Sequence, residues 1–484
     1  MNRIFIVALL LLVFNSDAQT LNRGNGGEPD SLNPHKAQGL NSHHILYDLY
    51  EGLFRYGVDG TPVLAMAAAY QVSADGLTWT FDLRPDAKWS NGEPVTSSDF
   101  LRGWQQASDP ATAAPYGGLF DNLKDKGKLQ VTRLSDFSLQ VRLNQANPMF
   151  SAQLVLPVFM PTHKQEGVFN GAYILSDWQL QEKITLSKNL HYADASAVYF
   201  NEIVYWVTEN QNSELNRFRS GELDITETIP DAKIEWLKQN MPNELRIAPY
   251  YGTFFLGLDV RDQWLQNVDL RQALYWSIDR NILVEKVLKS GQKPALSLIP
   301  GSKQNNGLNL IKAKAALSNS GFDVKTNKLT LLYNSSQNQK KVALAVAAMW
   351  RQNLGIKTQL KNQEWKVFVS SRKKPGKQVF RGGWVADYHD PMNFLQLFHS
   401  ASQFNYYGFN STAYDELLQR LLKAEPAEQH TLITQAERVL ADEAPMIPLY
   451  HYVSRHLVRS GIKGFEDNPL DQHLSRYLKQ RNEQ

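Results

Sequence analysis

The chain has 484 residues, of which 43% are hydrophobic and 20% are charged, and its net charge is +3 at neutral pH. This is enough apolar material for two or three globular lobes, and so small a net charge argues against a nucleic-acid-binding surface. Because the chain has no cysteine, structural disulfides, thiolate metal sites, cysteine nucleophiles and a lipid-modified N-terminal cysteine are all excluded.

The first residues have the pattern of a secretory signal peptide. Arg3 precedes an apolar run from Ile4 to Phe14, and Ala18 ends a short segment that is typical of a cleavage site. The run is shorter than the roughly 20 residues that a bilayer-spanning helix needs, so cleavage is favoured over an uncleaved anchor. We expect a mature chain that begins at Gln19 and is released into the periplasm.

Two strands are predicted in the first third of the chain. Residues 77–83 and 137–143 alternate apolar and polar side chains, as half-buried strands do. The glycines at positions 24, 26 and 27 lack the spacing of a phosphate-binding loop, and we expect them to open a loop after the first strand.

Capped helical patterns dominate the second half of the chain. Asp269 and Asp279 each precede a short helical run and have a side chain that commonly caps helix N-termini. Gly355 follows a longer run that is rich in alanine and leucine, as expected at a helix C-terminus. The predicted helices cover residues 270–278, 281–289, 340–353, 413–422 and 429–442, and a strand follows at 356–360.

No catalytic or cofactor motif is present in the sequence. Nucleophile-elbow, zincin and phosphate-loop spacings are all missing. The adjacent His43 and His44 would diverge on a helix or strand and have no acidic neighbour at a useful spacing, so a structural role is favoured over metal binding. We therefore predict no catalytic residue, no metal site and no cofactor, and an exported hydrolase is a distant alternative.

Residues 67–104, with the sequence AAAYQVSADGLTWTFDLRPDAKWSNGEPVTSSDFLRGW, closely resemble the segment shared by family 5 solute-binding proteins of ABC importers. Further segments match the family in the same order, and the last three resemble its oligopeptide-binding and murein-peptide-binding members. These segments are SLNPH at 31–35, NGAY at 170–173, SGELD at 220–224, NVDLRQAL at 267–274, NQEWK at 362–366, RGGWVADY at 381–388 and PLYHYV at 448–453.

The resemblance implies an α/β fold of the two-lobe periplasmic binding protein type, a clam shell with an inserted β-rich third domain. Ligand would bind in the cleft between the lobes, where concave pockets commonly form. The predicted segments are a signal peptide at 1–18, lobe I at 19–50, 167–251 and 456–484, the inserted domain at 51–166, and lobe II at 252–455.

The resemblance also implies which residues hold a peptide. Asp387 falls on the position whose carboxylate meets the α-ammonium group of the ligand, although Asp387 alone would read as a turn residue. Arg381 and Arg372 fall on positions that meet C-terminal carboxylates. For Arg372 a solvated surface charge is almost as good an interpretation, because the loop that follows it is one residue longer than the family pattern.

Five further residues complete the implied grip on a peptide backbone. Gly383 would let the ligand backbone approach closely. Trp384, Trp365 and Tyr116 match pocket walls or backbone contacts, with ordinary core packing as the alternative. Leu40 matches a segment that pairs its main chain with the ligand.

This chain departs from the family pattern at several positions. Gln38 and Gln339 stand where the pattern has an acidic residue and a histidine near the far end of the cleft, which we expect to alter ligand preference without abolishing peptide binding. Gly252 and Val385 replace a cysteine pair. Folding therefore does not depend on a disulfide.

The resemblance as a whole implies a non-enzymatic, monomeric receptor that captures oligopeptides and presents them to an ABC permease in the inner membrane. A receptor for murein peptides or otherwise modified peptides is the main alternative. Neither function calls for a cofactor or a nucleic-acid partner.

Overall fold

The computed structural model describes residues 19–302 and 307–480, apart from the side chains of residues 337, 365, 366 and 426. Within these residues no helix combines the length and the apolar character that crossing a bilayer requires. The predicted signal peptide at 1–18 lies outside the described residues, and its cleavage stays a prediction.

The first half of the chain is rich in strands. Its elements are β1 (Thr20–Gly26), α1 (Leu40–Leu49), β2 (Phe54–Tyr56), β3 (Pro62–Leu64), β4 (Ala67–Val72), β5 (Thr78–Leu83), α2 (Ser97–Ser108), β6 (Lys124–Asp125), β7 (Lys128–Leu129), β8 (Val131–Ser135), β9 (Ser138–Arg142), α3 (Phe150–Gln153), β10 (Tyr173–Gln179), β11 (Lys183–Lys188), β12 (Glu202–Val207), α4 (Gln211–Ser220) and α5 (Ile234–Asn240). The two strands predicted from alternation are confirmed as β5 and β9, which pair antiparallel.

The second half mixes helices with strands. Its elements are β13 (Leu245–Leu258), α6 (Val268–Trp276), α7 (Arg280–Ile282), β14 (Lys293–Pro294), α8 (Leu310–Ser320), β15 (Lys328–Asn334), α9 (Gln337–Leu354), β16 (Lys357–Gln363), α10 (Trp365–Lys373), β17 (Val379–Val385), α11 (Met392–Leu395), α12 (Thr412–Leu421), α13 (Pro426–Glu443), β18 (Met446–Leu457), β19 (Ile462–Lys463) and β20 (Lys479–Gln480). The five predicted helices and the strand after Gly355 are confirmed. The helix predicted at 281–289 continues from α7 as a π-helical turn, Leu283–Leu288.

One local prediction is wrong, and another is confirmed only in part. Asn267, not Asp269, caps α6, because the Asn267 side chain accepts a hydrogen bond from the Asp269 N–H and the helix already begins at Val268. Gly24 and Gly26 belong to β1 and pair with β12, so of the three glycines only Gly27 lies in the loop that follows the first strand. Gly24 is needed there because a Cβ atom would collide with the carboxylate of Glu214.

Three larger sheets organise the described chain. One has the strand order β1-β12-β11-β10, with β1 and β12 parallel, and α1 packs its apolar face against it. A second, antiparallel sheet has the order β4-β5-β9-β8. The third is a six-stranded mixed sheet with the order β14-β18-β13-β17-β15-β16. Their strands fall largely in the segments predicted for lobe I, the insert and lobe II, whose exact boundaries stay predictions.

The long strands β13 and β18 connect the regions assigned to the two lobes. They pair antiparallel from Leu245 and Leu457 at one end to Gly257 and Met446 at the other. The boundaries predicted near 251 and 455 lie inside these strands. The ladder register shifts between Pro249 and Thr253, where the ribbon passes from one region to the other.

Candidate ligand-binding cleft

Strand β17 carries the polar residues that the sequence singled out. It lies between β13, to which it is antiparallel, and β15, to which it is parallel. Because side chains alternate along a strand, Arg381, Gly383 and Val385 share one face, and Asp387 follows directly after the strand ends. The register sets Gly252 of β13 opposite Val385, so the positions of the family's cysteine pair do face each other.

A cavity of about 210 Å³ surrounds Asp387. It is built by the segment that leads into α1, by the strand-rich region around Tyr56 and Tyr116, and by the end of β17. Four of the predicted site residues therefore meet in one place although they are far apart in sequence. The lining residues are Gln38, Leu40, His43, Tyr47, Tyr56, Tyr116, Leu156, Tyr250, Val385, Ala386, Asp387, Leu470 and Gln472.

The Asp387 carboxyl lies in an environment that disfavours its charge. Burial raises its pKa to about 6. The phenols of Tyr56 and Tyr116 lie close enough to Asp387 to be affected by its charge. Burial raises the pKa of both phenols, and the negative charge of Asp387 raises it further. The Tyr56 hydroxyl donates to the main-chain carbonyl of Asp387 at 3.1 Å and so holds the turn in place. A carboxylate in such surroundings gains more from a bound cation than a solvated one does.

Arg381 and Gly383 form a second cluster with an aromatic neighbour from β18. The Arg381 guanidinium lies 5.4 Å from the ring centre of Phe254, and its Nη2 is 3.5 Å from the Tyr452 hydroxyl. A Cβ atom at Gly383 would lie 2.7 Å from that hydroxyl oxygen. Glycine therefore preserves the space that separates the strand backbone from Tyr452 and Arg381.

Arg372, on α10, lies near Arg381. Its guanidinium is 5.2 Å from the ring centre of Tyr406 and 5.9 Å from that of Phe368. Burial lowers the pKa of Arg372, and the positive charge of Arg381 lowers it further. Two half-buried guanidinium groups that repel each other are stabilised by an anion between them. A carboxylate matches the fork geometry of a guanidinium group.

The other predicted site residues are placed differently. Trp384 points to the opposite face of β17, where its Nε1 donates to Asn393 Oδ1 at 2.6 Å and its ring meets Phe404 edge-on at 5.0 Å, so it packs against the core while it stays partly exposed. The Trp365 side chain lies outside the described residues. Gln339 is half-buried on α9 and lines neither cavity of the cleft. Leu40 is 47% exposed and begins α1, so its main chain belongs to a helix terminus and not to a strand edge.

A second cavity, of about 260 Å³, continues from the first. Both are lined by Leu40, Tyr250 and Val385, so together they form one cleft. The second cavity is more strongly charged than the first. Its other lining residues include Arg23, His44, Glu227, Tyr452, Arg455, His456, Asp471 and His473.

Sequence reasoning missed most of the tyrosines that shape the cleft. Tyr47, Tyr56 and Tyr250 come from a helix, a short strand and a long strand, and each follows a pattern that also fits core packing. Nothing local distinguishes them from buried aromatic residues. They could have been identified only by knowing which strands and helices meet.

A cleft bounded by several chain segments holds the desolvated Asp387 carboxylate, and β17, which leads to it, carries Arg381, which like Arg372 lines neither cavity. This arrangement fits a solute-binding protein of the lobed type. The chain matches the family described as bacterial extracellular solute-binding proteins, family 5, middle, over residues 61–406. It belongs to this family, as the sequence predicted.

Proteins of known function and structure resemble the chain over nearly its whole length. It is 36% identical over 499 residues to the periplasmic oligopeptide-binding protein OppA of Salmonella typhimurium, covering 94% of this chain and 91% of that protein. The structure of the Escherichia coli murein tripeptide-binding protein MppA superposes with a TM-score of 0.83 at 31% identity, covering 96% of this chain and 99% of the other. Haemophilus influenzae OppA in complex with the peptide RPPGFSPFR gives a TM-score of 0.81 at 31% identity, with the same coverage. The predicted α/β clam-shell fold is thereby confirmed.

The raised pKa of Asp387 makes a prediction about stability. In the folded protein the carboxyl holds its proton up to about pH 6, whereas an unfolded chain releases it near pH 3.8, so ionised Asp387 destabilises the folded state at neutral pH. Asp387→Asn should raise the free energy of unfolding of the ligand-free protein at pH 7 by about 1–3 kcal/mol. The gain should disappear below about pH 4, where both states bind the proton.

Urea unfolding of both proteins at pH 7 and pH 4 measures this effect. Asp467→Asn is the matched control, because Asp467 is exposed and its removal should change stability little at either pH. A loss of stability in Asp387→Asn at pH 7 would show that local contacts hold the carboxylate favourably and that Asp387 is a turn residue.

Proposed function

We propose that this chain is a periplasmic substrate-binding protein that captures oligopeptides with a free N-terminus and delivers them to an ABC permease in the inner membrane. The observation that carries the proposal is the desolvated Asp387 carboxylate in a cleft to which several chain segments contribute. The relatives named above bind peptides, and their names place OppA and MppA in the periplasm. No catalytic step is proposed, since those relatives are binding proteins.

In the proposed complex the protein grips the parts that all peptides share. Asp387 pairs with the α-ammonium group, and Arg381 with Arg372 receives the C-terminal carboxylate. Gly383 leaves room for the ligand backbone beside β17. The tyrosine-lined walls then provide apolar surface with hydroxyl groups at the edge, which tolerates varied side chains.

Ligand contacts from different segments provide the reason for the lobes to close. Gln38 and Leu40 belong to the segment predicted for lobe I, Tyr116 to the insert, and Asp387 to lobe II. A peptide that touches all three stabilises the closed arrangement by its differential affinity for it. We propose the segment boundaries given above, cleavage after Ala18 and a monomeric receptor as parts of the same function.

A murein-peptide receptor is the second candidate, favoured by the similarity to MppA. The two candidates differ in the ligand and not in the fold. Titration with unmodified tripeptides to pentapeptides and with a murein tripeptide separates them, with thermal unfolding as the readout, because a ligand that binds only the folded state raises the unfolding temperature. If neither class of peptide raises the unfolding temperature at millimolar concentrations, both candidate functions are contradicted.

The Asp387 contact makes the sharpest prediction for peptide binding. Asp387→Asn keeps the shape of the side chain but removes its charge, so the affinity for a free peptide should fall by about 2–5 kcal/mol. An N-acetylated peptide should bind the wild type poorly and should lose far less on this substitution, since it has no ammonium group. Isothermal titration of both peptides against both proteins gives the coupling energy directly.

Arg381→Ala is the control for this cycle. It should weaken the free and the acetylated peptide alike, because both retain the C-terminal carboxylate. Equal losses for the two peptides in Asp387→Asn would instead mean that Asp387 does not meet the ammonium group.

The affinity should also depend on pH in a defined way. Below about pH 6 free Asp387 is protonated and must lose its proton before it pairs with a cation, so the affinity falls by up to about tenfold per pH unit. Above about pH 8 the peptide ammonium itself deprotonates, and the affinity falls again. The phenols of Tyr47, Tyr56, Tyr116 and Tyr250 stay neutral over this range, because burial raises the pKa of each.

Titration calorimetry from pH 4.5 to pH 9 tests this profile. In Asp387→Asn the loss on the acidic side should vanish while the loss on the alkaline side remains. If the acidic loss persists in the variant, another group such as His43 of the same cavity controls it.

A further inference from the structure

Two histidines and an aspartate meet in the second cavity of the cleft. His456 lies on β18, and Asp471 and His473 belong to the C-terminal segment. The Nε2 atoms of both imidazoles are 2.9 Å from the same oxygen, Asp471 Oδ1. The three ligand atoms lie within 4.8 Å of one another, and no other such group of three occurs among residues 19–302 and 307–480.

Both imidazole rings are held in place by their surroundings. His456 Nδ1 is 2.9 Å from the main-chain oxygen of Thr226, which directs its Nε2 toward Asp471. This is the arrangement in which metal-binding histidines are usually oriented, with the second ring nitrogen bonded to a carbonyl or carboxylate. The His473 ring stacks on Phe465 with ring centres 3.6 Å apart and planes inclined by 16°. Neither ring can turn away without losing these contacts.

We propose that His456, Asp471 and His473 form a binding site for a divalent transition-metal ion, with Zn²⁺ as the best-matched ion. Two imidazole nitrogens and one carboxylate are a donor set that zinc takes at about 2.0–2.2 Å, whereas calcium and magnesium require mainly oxygen donors. The ion would lie among the three donors, in place of the hydrogen bonds between the imidazoles and the carboxylate. No thiolate is needed.

The fourth coordination position of this site opens to the cleft. All three side chains line the second cavity, and the Asp471 side chain is 19% exposed there. Three protein ligands with one open position are typical of zinc sites that accept an exchangeable ligand. A carboxylate or imidazole of a solute in the cleft could therefore complete the coordination, but binding of the ion itself does not depend on the peptide function.

The competing explanation is that the cluster is an ion pair that only fixes the C-terminal segment to β18. Asp471 is well placed for that role, because burial opposes its charge but His456 and His473 hold the pKa of its carboxyl far below its usual range. In that case the protein would bind zinc no better through these residues than through exposed histidines. The two explanations therefore predict different numbers of bound metal ions per chain and different affinities for them.

Tag-free mature protein, stripped with a chelator, is dialysed against Zn²⁺ and its metal content is measured, with a competing chelator to obtain the affinity. The wild type should bind one tight ion per chain. His473→Gln should weaken this ion by about 100-fold or more, since removal of a direct ligand exceeds the loss found for outer-shell partners. His430→Gln, at an exposed histidine of α13, should leave it unchanged. Equal binding by all three proteins would overturn the proposal.

Cobalt supplies a measurement that needs no variant of the buried histidines. Co²⁺ bound by two imidazoles and a carboxylate in a site of low coordination number gives visible ligand-field absorption, which octahedral aqueous Co²⁺ shows only weakly. Wild-type protein should show these bands at one equivalent, and Asp387→Asn should retain them because Asp387 is in the other cavity. Absence of the bands from folded wild-type protein would overturn the proposal whether or not His473→Gln folds.

Discussion

The antiparallel pairing of β13 with β18 is the constraint on which the cleft depends. The ribbon sets β17 beside β13, and with it Arg381 and Gly383, while β18 contributes Tyr452 and His456. The half of the ribbon where β13 also pairs with β17 contains the stacked rings of Phe254 and Tyr450, 4.7 Å apart and almost parallel. The ladder is interrupted after Pro249, a residue that has no N–H to donate. In this interval the backbone bonds to other segments, since the Tyr251 N–H donates to the Pro469 carbonyl and the Ala386 N–H donates to the Tyr251 carbonyl.

Burial determines the electrostatics of Asp387 inside the cleft and of Arg372 outside its two cavities. Burial raises the pKa of Asp387, and burial together with a like charge lowers that of Arg372. In each case the charged form is less favourable in the protein than in water. The proposed pairing of Asp387 with the α-ammonium group of a peptide, and of Arg372 with its C-terminal carboxylate, would offset both costs, because each partner carries the opposite charge.

The sequence predicted the helices and strands better than it predicted the tertiary contacts between them. β5 and β9 were recognisable because one face of each is buried, which imposes strict alternation. Asp279 and Gly355 marked helix ends because their chemistry suits the termini, although at α6 the cap is Asn267. These signals lie within a few consecutive residues, so the sequence alone reveals them.

The site was only partly accessible from the sequence. The roles proposed for Asp387 and Arg381 came from resemblance to a family and not from any periodicity. Tyr116 came from the same resemblance, but Tyr47, Tyr56, Tyr250 and the His456–Asp471–His473 cluster were not predicted, because their members come from separate elements. His456 and Asp471, for example, are 15 residues apart, beyond the reach of any helical or strand repeat. Trp384 belongs to a matching motif but points away from Arg381, because side chains alternate along β17, and it packs partly buried against the core.

Gly252 and Val385 stand where the resemblance places a cysteine pair, and this replacement affects side-chain packing beside the cleft. A Cβ atom at Gly252 would lie 2.7 Å from a ring carbon of Tyr452, the same tyrosine whose hydroxyl approaches Arg381. The aromatic ring thus fills the volume that a cross-link between β13 and β17 would need. A cysteine at position 252 would require the Tyr452 ring to shift, and with it the hydroxyl group that approaches Arg381.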